Sequence, residues 1–210
     1  MKTTKICAVA IASLLTTGIF AQQKTTFGIR AGVNFQNLNG KDAEGDKMDG
    51  KLTTGFNAGV NAEIPVGIDF YLQPGLLYTT KGAKYELVGG SDDLKKTISY
   101  IELPVNFLYK PELGEGRMLL GFGPYAAYAV GGKNKIGDSK SDIEFGDAPS
   151  ELKRFDAGAN LLAGYEFSNK LSFQLNAGLG LVNINNRPTG DSKSTMKNTG
   201  FGVSLGYRFN

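Results

Sequence analysis

The segment that most restricts what this chain can become lies at its C-terminus, Thr199-Gly-Phe-Gly-Val-Ser-Leu-Gly-Tyr-Arg-Phe209. Phe201, Val203, Leu205, Tyr207 and Phe209 alternate there with Gly200, Gly202, Ser204, Gly206 and Arg208. A period of two puts the two sets on opposite faces of a β-strand. One face is wholly apolar and aromatic, while the other is small or charged. A soluble sandwich also alternates, but its polar face meets water and carries full-sized polar side chains. A face of Gly and Ser fits a narrow enclosed lumen instead, with the bulky face turned to lipid.

The pattern recurs along the chain. Phe27, Ile29, Ala31, Val33 and Phe35 oppose Gly28, Arg30, Gly32, Asn34 and Gln36; Phe56, Ala58, Val60, Ala62 and Ile64 oppose Gly55, Asn57, Gly59, Asn61 and Glu63. A third strand runs from Ile68 through Phe70, Leu72, Leu76 and Tyr78, and a fourth sets Ile101, Leu103, Val105, Phe107 and Tyr109 against Glu102 and Asn106. Segments near 117–131, 153–167 and 171–184 bring the set to eight. Most exceed the ~9–11 residues that cross a bilayer as a tilted strand. A helix is excluded, because Phe and Val at every second position give no 3.6-residue stripe and the intervening Gly disfavours it.

The connections alternate in length. Short links fall around 65–67, 111–116 and 168–170, and long polar ones at 39–52, 86–96, 132–152 and 186–198. Short periplasmic turns and long outer loops characterise outer-membrane barrels, so both termini are expected on the periplasmic side. The aromatic residues divide in the same way. Phe27, Phe107, Tyr109, Phe167, Phe173, Tyr207 and Phe209 are expected at the periplasmic rim, and Phe35, Phe56, Tyr78, Tyr128 and Phe201 at the outer rim.

Residues 1–21 read as a cleaved signal peptide: Lys2 and Lys5 precede an apolar run from Ile6 to Leu15, and Ala21 precedes Gln22. That run is shorter than the ~20 residues of a spanning helix. The lone Cys7 lies inside it, so the mature barrel, 22–210, has no cysteine. The whole chain carries 23 basic and 20 acidic residues, and loss of Lys2 and Lys5 leaves 21 against 20. Such a balance gives no electrostatic basis for binding nucleic acid.

Five stretches resemble the small outer-membrane β-barrel ("porin family") proteins of the Bacteroidetes type. They are Phe27-Gly-Ile-Arg-Ala-Gly-Val-Asn-Phe35, Tyr100-Ile-Glu-Leu-Pro-Val-Asn-Phe-Leu-Tyr109, Gly121-Phe-Gly-Pro-Tyr125 with Gly131-Gly-Lys133, Phe155-Asp-Ala-Gly-Ala-Asn160 with Gly164-Tyr-Glu-Phe167, and Gly206-Tyr-Arg-Phe209. In one departure from the family pattern, Asn210 follows the closing aromatic residue. The resemblance implies an integral outer-membrane location and no particular substrate.

The chain contains no histidine, which removes Ser-His-Asp, Cys-His and His-ligated zinc chemistry. Gly121-x-Gly123 lacks the third glycine and the following helix of a dinucleotide loop. Asp42, Glu44, Asp46 and Asp49 are interleaved with Lys41, Lys47 and Lys51, as in a solvated loop rather than a calcium site. No cofactor and no metal site are expected, and no enzymatic activity. Arg30, Glu63, Glu102, Asp156, Glu166 and Arg208 all project to the polar face, so they are expected to pair with one another inside the lumen. Pro104, Pro74 and Pro124 are expected to mark bulges or bends.

Together these readings give an all-β, eight-stranded antiparallel up-and-down transmembrane barrel. Its expected role is non-enzymatic, with a side-chain-filled lumen and exposed outer loops serving envelope structure or surface interaction; the alternative is a narrow channel for small solutes or ions. The expected partners are outer-membrane lipid, the barrel-assembly machinery through the C-terminal strand, and a surface ligand of unknown identity at the outer loops.

Overall fold

In the computed structural model the described residues are 24–42, 44–48, 50–86, 93–148, 151–186 and 193–209. The expected leader, 1–21, lies outside them. Among the described residues ten strands form: β1 Thr26–Lys41, β2 Thr53–Gly67, β3 Phe70–Glu86, β4 Asp93–Tyr109, β5 Glu112–Leu113, β6 Gly116–Ile136, β7 Ser139–Asp142, β8 Phe155–Glu166, β9 Leu171–Gly180 and β10 Thr195–Arg208. Eight of them close a ring, β1-β2-β3-β4-β6-β8-β9-β10 and back to β1, every pair antiparallel. The closing pair holds register from Gly28 opposite Arg208 to Lys41 opposite Thr195. Closure leaves no barrel strand with an unpaired edge, the condition under which a sheet can sit in hydrocarbon. The alternation read from sequence reappears as burial: along β4, Tyr100, Glu102, Asn106 and Leu108 are buried while Leu103, Val105, Phe107 and Tyr109 are exposed.

One end of the ring carries the tight turns. Asp69 and Lys170 adopt left-handed backbone conformations there (φ 61° and 69°), as does Gly114 (φ 61°) in the small hairpin of β5 with the start of β6. The other end carries the long links, and here several expected boundaries are corrected. β3 and β4 remain paired out to Glu86 opposite Asp93, so 86 and 93–96 of that expected link are strand, while 87–92 lie outside the described residues. β6 runs on to Ile136 and folds into a hairpin with β7, taking up the first part of 132–152. Likewise β1 reaches Lys41 and β10 begins at Thr195, inside the expected links 39–52 and 186–198. The physical reason is common to all four. Polar composition marks where a strand leaves the apolar slab, whereas the hydrogen-bonded ladder continues into water unchanged.

Two smaller corrections concern the turn residues. Ile68 and Asp69 make the first tight turn, while Pro65, Val66 and Gly67 belong to β2, with a register shift between Pro65 and Gly67. The expected bulges at Pro74, Pro104 and Pro124 do not occur. Register does not shift at Pro74, Pro104 or Pro124, but the ladders lapse beside them: pairs are missing between Asn61–Gly75 and Ile64–Leu72, between Pro74–Val105 and Leu77–Glu102, and between Pro104–Tyr125 and Phe107–Phe122; the register shift between β4 and β6 falls at Ser99/Tyr100.

Close packing across the wall also explains some of the glycine. A Cβ added at Gly158 would lie 2.1 Å from the Leu179 carbonyl oxygen and 2.7 Å from the Tyr125 ring, so the inward Tyr125 has room only beside glycine.

Candidate functional site in the barrel lumen

The lumen is filled in three successive zones. Nearest the tight turns, Glu63 on β2 accepts hydrogen bonds from the Lys110 ammonium at 2.7 Å, from Gln73 at 3.2 Å and from the Arg208 guanidinium. Lys110 also reaches Glu166 at 2.9 Å, and Arg208 donates to Asn61 at 2.8 Å. Two cations thus meet two carboxylates, all four buried. A mouth of about 350 Å³ lined by these groups with Lys24 and Arg117 opens at this end.

Halfway along, Lys81 on β3 bridges Glu102 at 2.8 Å and Asp156 at 3.3 Å. Asp156 is fully buried, and the same oxygen accepts from Tyr125 at 3.1 Å and Asn198 at 2.9 Å. Asn198 in turn reaches the Tyr100 hydroxyl at 3.3 Å, and the Lys81 ammonium sits 4.0 Å from the centre of the Tyr125 ring. Beside this cluster lies a polar cavity of about 60 Å³ lined by Arg30, Asn34, Asn57, Glu102 and Asn106. That space suits a few waters and no larger solute.

Toward the long links the lumen turns apolar. Leu38, Ala83, Ile98, Tyr100, Tyr125, Ala127, Ala129, Leu152, Ile184 and Met196 form one buried cluster, against which Met48, Tyr85, Ile143 and Phe145 pack. Ile143, Phe145 and Leu152 come from the link between β7 and β8, which folds inward over the mouth. Its backbone is tied down by Leu152 donating to Glu144 and Lys153 donating to Ile184.

The six charged residues expected in the lumen all sit in it or on its wall, but their pairing differs from expectation. Only Arg208 with Glu63 joins two of the six. Glu63 and Glu166 are linked through Lys110, and Glu102 and Asp156 through Lys81, two lysines the sequence reading did not select. Arg30 makes no ion pair among the described residues; it donates to Asn176 at 3.3 Å and shares the central cavity with Glu102. The inward Tyr71, Tyr100 and Tyr125 were also missed. Their signal was available, since each has the parity of the polar face.

On the outer wall, eleven of the twelve selected aromatic residues are exposed: Phe27, Phe56, Tyr78, Phe107, Tyr109, Tyr128, Phe167, Phe173, Phe201, Tyr207 and Phe209, with Phe35 half-buried. Near the tight turns Phe70 stacks on Phe107 and Tyr109 at 5.4 and 4.8 Å, Tyr207 meets Phe209 at 5.4 Å and Tyr165 meets Phe167 at 5.1 Å. Near the long links Phe35 pairs with Phe201 at 5.4 Å and Phe56 with Tyr78 at 5.6 Å. Phe70, Phe122, Phe155 and Tyr165 extend these two tiers. Between the tiers the wall exposes aliphatic side chains such as Leu161 and Leu205.

The closed ring has a filled interior and an apolar outside between two aromatic tiers, and the chain is matched by one family model, "Outer membrane protein beta-barrel domain", over residues 20–186. The chain belongs to that family. This barrel is therefore an integral bacterial outer-membrane protein, all-β and eight-stranded. Solved outer-membrane structures resemble it at low identity. Neisserial surface protein A matches at 12% identity (TM-score 0.48), and a major outer membrane protein from Thermus thermophilus at 15% (TM-score 0.45). The attachment invasion locus protein of Yersinia pestis, in complex with sucrose octasulfate, also matches at 15% (TM-score 0.43). Each match covers 89% of this chain and the whole of the other chain. No curated relative matches the chain. Among the described residues of the barrel, no group of three or more His, Cys, Asp or Glu side chains could hold a metal ion.

Proposed function

We propose that this barrel is a non-enzymatic, closed outer-membrane protein: a plugged cylinder that braces the envelope and presents its long links for surface contact. One observation carries the reading. The lumen is occupied along its length by ion-paired, tyrosine and aliphatic side chains, and the cavity at its centre holds only about 60 Å³. Eight-stranded barrels are filled by their own side chains, whereas open aqueous channels belong to rings of about 16–18 strands. Both termini and the tight turns lie on the periplasmic side, the long links face outward, and the closing strand, Thr195–Arg208, is the one the assembly machinery engages.

A narrow ion path is the second reading. It draws on the polar chain from Glu63 through Gln73 to Asn106, which borders the central cavity. The apolar cluster around Leu38, Ile98 and Ile184 opposes it, because an ion would cross a zone lined mainly by aliphatic side chains. Planar-bilayer recording of the refolded barrel decides between the two. Closed behaviour, with no unitary conductance above the background of the bare bilayer, is expected; reproducible conductance steps would overturn the plugged reading.

A further inference from the structure

Just beyond the tier of Tyr78 and Tyr128, the outer wall changes from apolar to strongly basic. Strand register places Lys84 of β3 opposite Lys95 of β4, Lys95 opposite Lys135 of β6, and Lys135 opposite Lys140 of β7. An isolated bridge sets Lys51 opposite Lys84 and completes a single cross-strand row of lysines. Lys133, between Thr97 and Asp142, stands beside it. Directly opposed residues on one face have Cβ atoms about 4.5–5.5 Å apart, and like charges so placed destabilise the pair.

Two members of the row are compensated, Lys51 by Glu86 and Lys84 by Asp93. Lys95, Lys133, Lys135 and Lys140 form no ion pair among the described residues, although Asp142 faces Lys133 across the hairpin and Asp138 occupies its turn. These four lysines, with Thr97, Ser99 and Gly131, line a basin of about 390 Å³. Gly131 leaves open space where a side chain would stand, and Ser99 accepts a hydrogen bond from the Tyr78 hydroxyl at 2.8 Å. The basin therefore begins where the aromatic tier ends.

We propose that this lysine row binds the phosphate groups of a phosphorylated glycolipid in the outer leaflet, seating the head group in the basin while the acyl chains lie along the apolar wall below. The chemistry is that of clustered ammonium groups beside hydroxyl donors, at the depth where aromatic rings mark the interface. The site explains why four cations crowd one patch of wall with so little compensation from the protein itself. It rests on the proposed orientation, with the long links outside.

The test uses the full barrel refolded in phosphatidylcholine nanodiscs and titrated with fluorescent bisphosphorylated lipid A. Replacing Lys95, Lys133, Lys135 and Lys140 together by Gln is expected to weaken binding about tenfold or more. A control replacing Lys41, Lys47, Lys153 and Lys197 by Gln removes equal charge from the same end, away from the basin, and is expected to bind like the parent. Heat-dependent gel mobility verifies that each variant is folded. Equal binding by the basin variant and the parent, or equal binding of dephosphorylated lipid A, overturns the proposal. Full displacement by millimolar inorganic phosphate also overturns it, by assigning the basin to a free anion. Orientation has a separate readout, labelling of an Asp138→Cys variant on intact cells with a membrane-impermeant maleimide. Labelling only after lysis would sink the orientation while leaving the measured lipid contact intact.

Discussion

The two halves of the lumen are closed by different physics. Toward the tight turns, two cations and two carboxylates clasp one another beside a wide, wet mouth. Toward the long links the filling is a continuous apolar cluster, with the Lys81 cluster at its base and an inward-folded link above it. The first half resists opening through charges that would have to be separated, the second through apolar surface that would have to be wetted. Charge stays balanced in both: Lys110 and Arg208 against Glu63 and Glu166, and Lys81 with Arg30 against Glu102 and Asp156. Balance is what lets a narrow cylinder hold eight charged side chains, since a charge left with no opposite charge near it in such a place costs several kcal/mol.

The comparison breaks most easily at the lysines. Lys81→Met strands Glu102 and Asp156 together, both almost wholly buried, and is expected to destabilise the barrel by about 3–5 kcal/mol. Lys110→Met is expected to cost clearly less. Glu63 keeps Arg208, and Glu166 borders the mouth, where water can replace the lost partner. Urea unfolding of both variants in lipid vesicles reads the difference. Equal losses would mean that the two halves share one dielectric environment and that the distinction between them is false.

Those two lysines also show how far the sequence could be read. The eight barrel strands and their faces were legible because lipid on one side and a narrow lumen on the other impose a strict period of two, and Phe, Val and Leu report it. Glu63, Glu102, Asp156, Glu166 and Arg208 followed from parity alone. Lys81 and Lys110 were lost because the faces of those two strands were followed only as far as Tyr78 and Tyr109. Lys81 lies three residues past Tyr78, and Lys110 directly follows Tyr109. Carrying the parity onward from Thr79 to Lys81 and from Leu108 to Lys110 places both inside. The apolar plug was beyond reach for another reason. Leu152 sits in a link with no period, Ile184 was expected to end a strand that in fact stops at Gly180, and only the closed ring brings the two over Leu38 and Ile98.

The plug supplies the next test. Leu152→Ala removes a buried side chain contributed by a link rather than by the barrel wall, and is expected to cost about 2–4 kcal/mol in the same unfolding assay. A link that merely rested on the mouth would relax around the smaller side chain. A loss below about 1 kcal/mol would therefore show that this half is capped loosely rather than packed.

The smallest expected effect isolates how the two fillings meet. Tyr125 belongs to the apolar cluster by its ring and to the Lys81 cluster by its hydroxyl, which donates to Asp156. Tyr125→Phe keeps the ring over Gly158 and beneath the Lys81 ammonium, and removes only the donor. Asp156 retains Lys81 and Asn198 on the same oxygen, so the loss is expected to be about 1 kcal/mol, that of a single hydrogen bond. A much larger loss would mean that the hydroxyl is needed to hold the Asp156 carboxylate in line with Lys81. In that case the junction, rather than either half, would set the stability of the lumen. Pairing Tyr125→Phe with Lys81→Met in a double-mutant cycle separates the outcomes, because additive losses leave the two halves independent and a strong coupling makes them one unit.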